Sequence, residues 1–261
     1  MLLDINAYVG HWPFKQVKFN TCNALLNRMD HFGVDISVIS NLNGIFYKNT
    51  QPANEELYNE IQSNREFQDR FIPFAVVNPI YAGWRDDFEI CVDKLGMKGI
   101  RLYPKYHDYE LTDSPCVELV KLARNRGLPV TFSFRMVDSR QRSWLDIEKE
   151  WDMKDIVPIV KEVPDARYIL VNLTNSTQLN EEEEAILKNA NIMFDTSGRS
   201  VNDFVELMKR FGEKKFAFGT HSPILDYLTG LLRIESLRDE EANEDTKILF
   251  RSGNAKRILG I

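Results

Sequence analysis

The chain has 261 residues, 43% of them hydrophobic and 28% charged, with a formal net charge of −6. That balance suits one large domain with a substantial core, and it gives no basic footprint for DNA or RNA. The opening Met1-Leu2-Leu3-Asp4 carries no basic segment and no long apolar run, so neither a signal peptide nor a membrane anchor is expected.

The first stretch, Asp4 to Gly10, reads as a strand in which Asn6 and Tyr8 share one face and Ile5 and Ala7 the other. Gly10 ends it, and His11-Trp12-Pro13-Phe14 opens a loop whose rings could wall a pocket or plug one. An amphipathic helix over Asn20 to Phe32, closed by Gly33, leads into the β-branched strand Val34 to Ser40. The alternation continues with helix 54–64, strand 71–77, helix 86–95, strand 99–103, then helix 115–125, where Ser114 can cap and Pro115 fits the first turn. Strand 128–134, helix 155–162, strand 167–173, helix 180–188, strand 192–196, helix 201–211 and strand 215–219 follow, with helical sequence from Ile224 onward. Eight strand-helix units over 1–261 predict one closed parallel (β/α)8 barrel, a TIM barrel in the α/β class. An open doubly wound sheet is the alternative, and no Gly-rich turn supports it.

Cys22, Cys91 and Cys116 are odd in number, widely spaced and without metal-ligand pairing, as expected of reduced, buried thiols in a cytoplasmic protein. The long connection 135–152, with Arg135, Arg140, Arg142, Trp144 and Trp151, is expected to be a lid or a contact in a homo-oligomer. The acidic run between Arg238 and Lys247 is expected to be a solvated helix face or loop.

Barrel enzymes carry their chemistry at the carboxyl ends of the strands. That rule selects Asn6, Tyr8 and His11; Asn41 and Asn43; Asn78; Arg101, Tyr103, Lys105 and His107; Ser133 and Arg135; Asn172 and Asn175; Asp195 and Arg199; and Thr220, His221 and Asp226.

Several segments together resemble the amidohydrolase superfamily, in the branch of aminocarboxymuconate semialdehyde decarboxylase-like enzymes. Asp4-Ile5-Asn6-Ala7-Tyr8-Val9-Gly10 is similar to that family's Asp-x-His-x-His-x-Gly, and Lys98 to Pro104 to its fourth-strand signature. Leu128 to Ser133 is similar to Pro-Val-x-x-His, Ile169 to Leu173 to the sixth-strand segment, and Phe218-Gly219-Thr220-His221-Ser222-Pro223 to Phe-Gly-[Thr/Ser]-Asp-x-Pro; Asn254 to Gly260 also fits. The resemblance implies a divalent metal held by histidines and an aspartate, yet those positions here read Asn6, Tyr8, Ser133, Asn172 and His221. Neutral amides and hydroxyls bind zinc weakly, so no metal is carried over.

The expectation is a metal-independent hydrolase acting on a small carboxylated or sugar-derived lactone or ester. His221 would be the general base; Arg101 and Tyr8 would stabilise developing charge. Asn6, His11, Trp12, Tyr103, Lys105, Ser133, Arg135 and Asn172 would bind substrate. Arg101 could equally pair with an acidic residue inside the barrel. Two alternatives stand beside this reading: a non-catalytic barrel that binds a small molecule or a partner, and a metal enzyme in which zinc sits at a rearranged His11, His107 and His221 site.

Overall fold

The computed structural model describes residues 1–138, 142–147, 150–173, 177–198 and 200–261. Nine strand segments, all parallel, run β1 (Leu3–Val9), β2 (Ile36–Asn41), β3 (Phe71–Pro73), β4 (Ala75–Val76), β5 (Ile100–Leu102), β6 (Val130–Ser133), β7 (Tyr168–Val171), β8 (Ile192–Asp195) and β9 (Phe216–Ala217). β3 and β4 are one stave interrupted at Phe74. β3 bonds to β2, β4 bonds to β5, and Phe74 itself donates to the Ile39 carbonyl.

The barrel closes where the chain beyond β9 meets β1. Ile5 N–H donates to the Phe218 carbonyl (2.9 Å), His221 N–H to the Asn6 carbonyl (2.7 Å), and Tyr8 N–H to the Ser222 carbonyl (2.8 Å). Eight staves therefore form the (β/α)8 barrel, with helices outside, as the alternation of periodicities predicts. No helix among the described residues is long and apolar enough to cross a membrane.

Alternate residues of each strand divide between two apolar regions. Ile100, Leu102, Val130, Phe132, Leu170 and Phe194 face the helices, while Leu3, Ile5, Val38, Phe74, Ile169, Met193 and Ala217 fill the barrel's lower interior. In β1 the pairing register shifts between Asp4 and Ala7, so Ile5 joins the interior apolar set although strict alternation with Asn6 and Tyr8 would send it outward.

Helix boundaries show what local signals miss. The helix expected from Pro115 starts at Ser114, and the capping position belongs to Asp113, whose carboxylate accepts from Glu110 N–H. Helix Gln51–Gln62 begins three residues before its expected start, and short helices appear at Arg65–Arg70 and Pro104–His107. The acidic run before Lys247 contains the start of helix Glu244–Ile248, capped by Asn243. The three cysteines are buried and unbridged.

Candidate functional site

At the carboxyl ends of the strands a layer of polar side chains spans the barrel. Asn6 stands at its centre. Its Nδ2 donates to Asp195 Oδ2 (2.7 Å) and lies 3.1 Å from His221 Nδ1, while its Oδ1 accepts from Arg101 Nη1 (3.2 Å). Asp195 is held on both oxygens, by Ser197 Oγ (2.5 Å) and Asn6 on one and by the Asn172 backbone N–H (2.8 Å) on the other. Burial raises its pKa. Tyr8 Oη lies 3.3 Å from Ser133 Oγ, and the Tyr8 ring meets His221 edge to face at 5.1 Å. The five positions that depart from the family pattern thus converge on one layer.

His221 has a defined tautomer. Its Nε2 lies 2.8 Å from the Met136 carbonyl, which can only accept, so Nε2 carries the proton and donates. Nδ1 then accepts from Asn6. The side chain is wholly buried, and burial, reinforced by the nearby Arg101 and Arg135 charges, lowers its pKa to about 3. In this arrangement the imidazole is neutral with both nitrogens engaged, so no lone pair remains for the water-activating role expected of it. Asn172 Nδ2 sits 3.4 Å from the same Nε2 but donates to the Arg135 carbonyl (2.8 Å). Both His221 and Asn172 adopt positive φ (59° and 53°), an uncommon conformation for residues other than glycine.

The segment after β6 closes this layer from above. Met136 is buried over Tyr8, with Sδ 4.0 Å from the Tyr8 hydroxyl. Farther along the same connection, Asp146 accepts from Tyr106 Oη (3.0 Å) and Trp151 is buried beneath the Lys105 ammonium at 4.4 Å. Arg135 is buried, pairs with Asp138 (3.3 Å) and donates to the Gly198 carbonyl. Trp144, on the same connection, is 87% exposed. Arg140, Asn175 and Arg199 lie outside the described residues.

Arg135, Met136 and Val137 form the partition between two clefts. The narrower one, towards Tyr103, Lys105, Ser133 and Trp151, offers about 20 Å³. The wider one offers about 160 Å³ and is lined by the apolar Trp12, Phe14 and Ile224 and by Arg135, Arg233, Asn172, Lys15 and Asp138. Trp12 is fixed there edge to face against Phe14, Phe46 and Tyr106.

Other expected residues stand apart from this layer. His11 is exposed, with Nδ1 3.3 Å from Asn20 Nδ2. His107 donates through Nε2 to the Gly44 carbonyl, and burial lowers its pKa to about 4. Asn41 and Asn43 bond Glu56, Asn78 bonds the Lys48 carbonyl, Asp226 caps helix Tyr227–Glu235, and Thr220 donates to Asp4 Oδ2 (2.5 Å). His11, His107 and His221 therefore have separate local partners. Among the described residues no three His, Cys, Asp or Glu side chains group to hold an ion, which removes the rearranged zinc site.

Sequence reasoning missed Ser197, Met136 and Arg233. Ser197 follows Asp195 by two residues and could have been found by extending the eighth strand's polar face. Met136 and Arg233 carry no sequence signal of their place.

A closed barrel whose polar layer crowns the strand ends is the architecture of a large class of barrel enzymes. The sequence profile of the amidohydrolase family matches residues 28–261, and the chain belongs to that family. No curated protein matches the sequence. Among solved structures the chain is similar to 2,6-dihydroxybenzoate decarboxylase from Rhizobium, with TM-score 0.74 and 13% identity over 99% of this chain and 98% of that one. It is also similar to a dihydroxybenzoic acid decarboxylase from Polaromonas, bound to manganese and 2-nitroresorcinol (0.74, 13%, 99% and 96%). A third is 5-carboxyvanillate decarboxylase from Sphingomonas paucimobilis (0.72, 15%, 100% and 99%).

A divalent ion of the kind bound by the Polaromonas protein does not fit this layer. The matching positions supply two amides, two hydroxyls and an imidazole whose nitrogens are both engaged, and the Asp195 oxygens already accept three donors between them.

Proposed function

We propose that this amidohydrolase-family barrel binds a small carboxylated molecule in the wider cleft at its mouth, and that metal-centred chemistry at the family's positions has been given up. One observation carries the reading: among the described residues the cleft is lined by the cations Lys15, Arg135 and Arg233 with one carboxylate, Asp138, together with the rings of Trp12 and Phe14. Buried or half-buried guanidinium groups beside aromatic faces favour a planar anion over a neutral solute. The decarboxylases of dihydroxybenzoate and carboxyvanillate share the fold and take carboxylated rings, as their names state, which supports the same ligand class here. Trp12 and Phe14 would cover the ring, and Arg135 and Arg233 would hold the carboxylate. The buried free thiols support a reducing compartment such as the cytoplasm.

The test is a thermal-shift and turnover screen of benzoates, hydroxybenzoates and carboxylated lactones. At least one carboxylate is expected to raise the melting temperature by more than about 2 °C, an effect lost in Arg233→Met. Absence of stabilisation by every carboxylate would reject the reading.

A second reading is metal-independent hydrolysis of such a lactone or ester, with His221 as base. It is favoured by the contact of His221 with Asn172, which lines the cleft. It requires Met136 to withdraw so that an imidazole nitrogen becomes available. Turnover by chelator-treated protein, abolished in His221→Asn with ligand-induced stabilisation retained, would establish it; stabilisation without turnover leaves the binding role alone.

A further inference from the structure

Below the polar layer, inside the barrel, lies a group of buried hydrogen-bond donors that make no well-formed hydrogen bond. Arg101 is wholly buried, with its guanidinium 4.4 Å from the centroid of the Tyr8 ring. Nη1 is satisfied by Asn6, but Nε and Nη2 have no partner, nor do Tyr103 Oη, Ser40 Oγ and Thr131 Oγ1. These five atoms belong to one neighbourhood. Arg101 and Thr131 are register partners on β5 and β6, and their neighbours Ile100, Leu102, Val130 and Phe132 all face outward, so both side chains point inward. Ser40, beside the outward Ile39 on β2, points inward too, and the Tyr103 hydroxyl lies close enough to both Ser40 and Arg101 to interact with them, though it makes no well-formed hydrogen bond to either.

The chemistry of the group is one-sided. Guanidinium nitrogens can only donate, and the three hydroxyls are free to turn their protons the same way. Among the described residues no carboxylate pairs directly with Arg101; Asp195 is linked to it only through Asn6, and the neighbouring Tyr8 and Tyr103 hydroxyls are kept neutral by burial. A buried cation without a counter-charge is strongly disfavoured, and water would relieve the donors while leaving the charge uncompensated. A small monovalent anion relieves both.

We propose that the barrel interior holds a structural site for a halide-sized anion, bound by Arg101 Nε and Nη2 with the hydroxyls of Tyr103, Ser40 and Thr131. This site is separate from the ligand cleft, because Arg101, Ser40 and Thr131 do not line it. The anion neutralises the guanidinium and pins β2, β5 and β6 together.

Bromide is the probe. Crystals soaked in sodium bromide are expected to show an anomalous peak within bonding reach of Arg101 Nε or Nη2, and density there without anomalous signal would overturn the proposal. In solution, melting in sodium chloride is expected to exceed melting in sodium gluconate of equal ionic strength by at least about 2 °C, rising with chloride concentration. Arg101→Met and the milder Thr131→Val should remove or weaken that anion dependence. An unchanged dependence in Thr131→Val together with no bromide peak rejects the site even if Arg101→Met fails to fold.

Discussion

At the scale of single residues the mouth is governed by how each polar atom is satisfied. His221 is the clearest case. Its folded pKa of about 3 lies far below the ordinary imidazole value of 6.5, so the unfolded chain takes up a proton that the folded chain refuses. The stability this residue contributes is present above pH 6.5 and is lost as pH falls towards 3, at about 1.4 kcal/mol per pH unit. His107, lowered to about 4, acts in the same direction. Asp4, raised by burial to about 6, opposes them: its carboxyl is protonated in the folded state first, so it favours folding at low pH and loses that contribution as pH rises through 6. Denaturant melts of His221→Asn between pH 6.5 and 4.5 should show a slope shallower than the parent by about one proton; an unchanged slope would mean that the imidazole is charged in the fold. Gly198 offers a second test. It has φ +76°, and a Cβ there would stand 1.9 Å from Asn172 Oδ1, so Gly198→Ala is expected to lower stability by about 2 kcal/mol or more in urea titration.

Among the elements, strands were far more legible than their connections. The β-branched runs flanked by helical periodicity located all eight staves, because each strand is buried on both faces and its composition reflects that directly. The grouping of Asn6, Tyr8, Ser133, Asn172 and His221 was also legible, since barrel topology brings the strand ends together whatever their chemistry. What the sequence could not supply was the direction of hydrogen bonds. The tautomer of His221 depends on a backbone carbonyl at Met136, contributed by a connection whose path has no periodic signature. The interior position of Ile5 was hidden for a similar reason, because a register shift breaks the two-residue alternation without changing composition. At this scale Gly99 is the most exacting position. A Cβ would meet the Phe74 ring at 2.4 Å, just where the third stave is interrupted, so Gly99→Ala is expected to cost about 1–3 kcal/mol. A melting temperature within about 1 °C of the parent would show that Phe74 can repack.

For the whole molecule, a barrel of the amidohydrolase family carries a hydrogen-bonded layer of amides, hydroxyls and one imidazole at its mouth. Because that layer offers a divalent ion amides, hydroxyls and an engaged imidazole in place of anionic ligands, added divalent metal is expected to have no stoichiometric site among the mouth residues. Dialysis against manganese or zinc followed by elemental analysis should find less than one equivalent held through gel filtration, and melting should not respond to chelator. A full equivalent that disappears in Asn6→Ala would overturn this account of the mouth.

The seam that closes the barrel runs through the same residues that form its polar layer: main-chain bonds join His221 to Asn6 and Tyr8 to Ser222, while the side chains of Asn6 and His221 meet 3.1 Å apart. First and last staves are therefore joined through residues that also order the mouth, so closure of the barrel and assembly of the layer are expected to be coupled. A permuted chain with residues 1 and 261 joined and new ends placed in the Asp108–Asp113 loop would turn this encounter of first and last staves into one between neighbours in sequence and should refold with a different order of events.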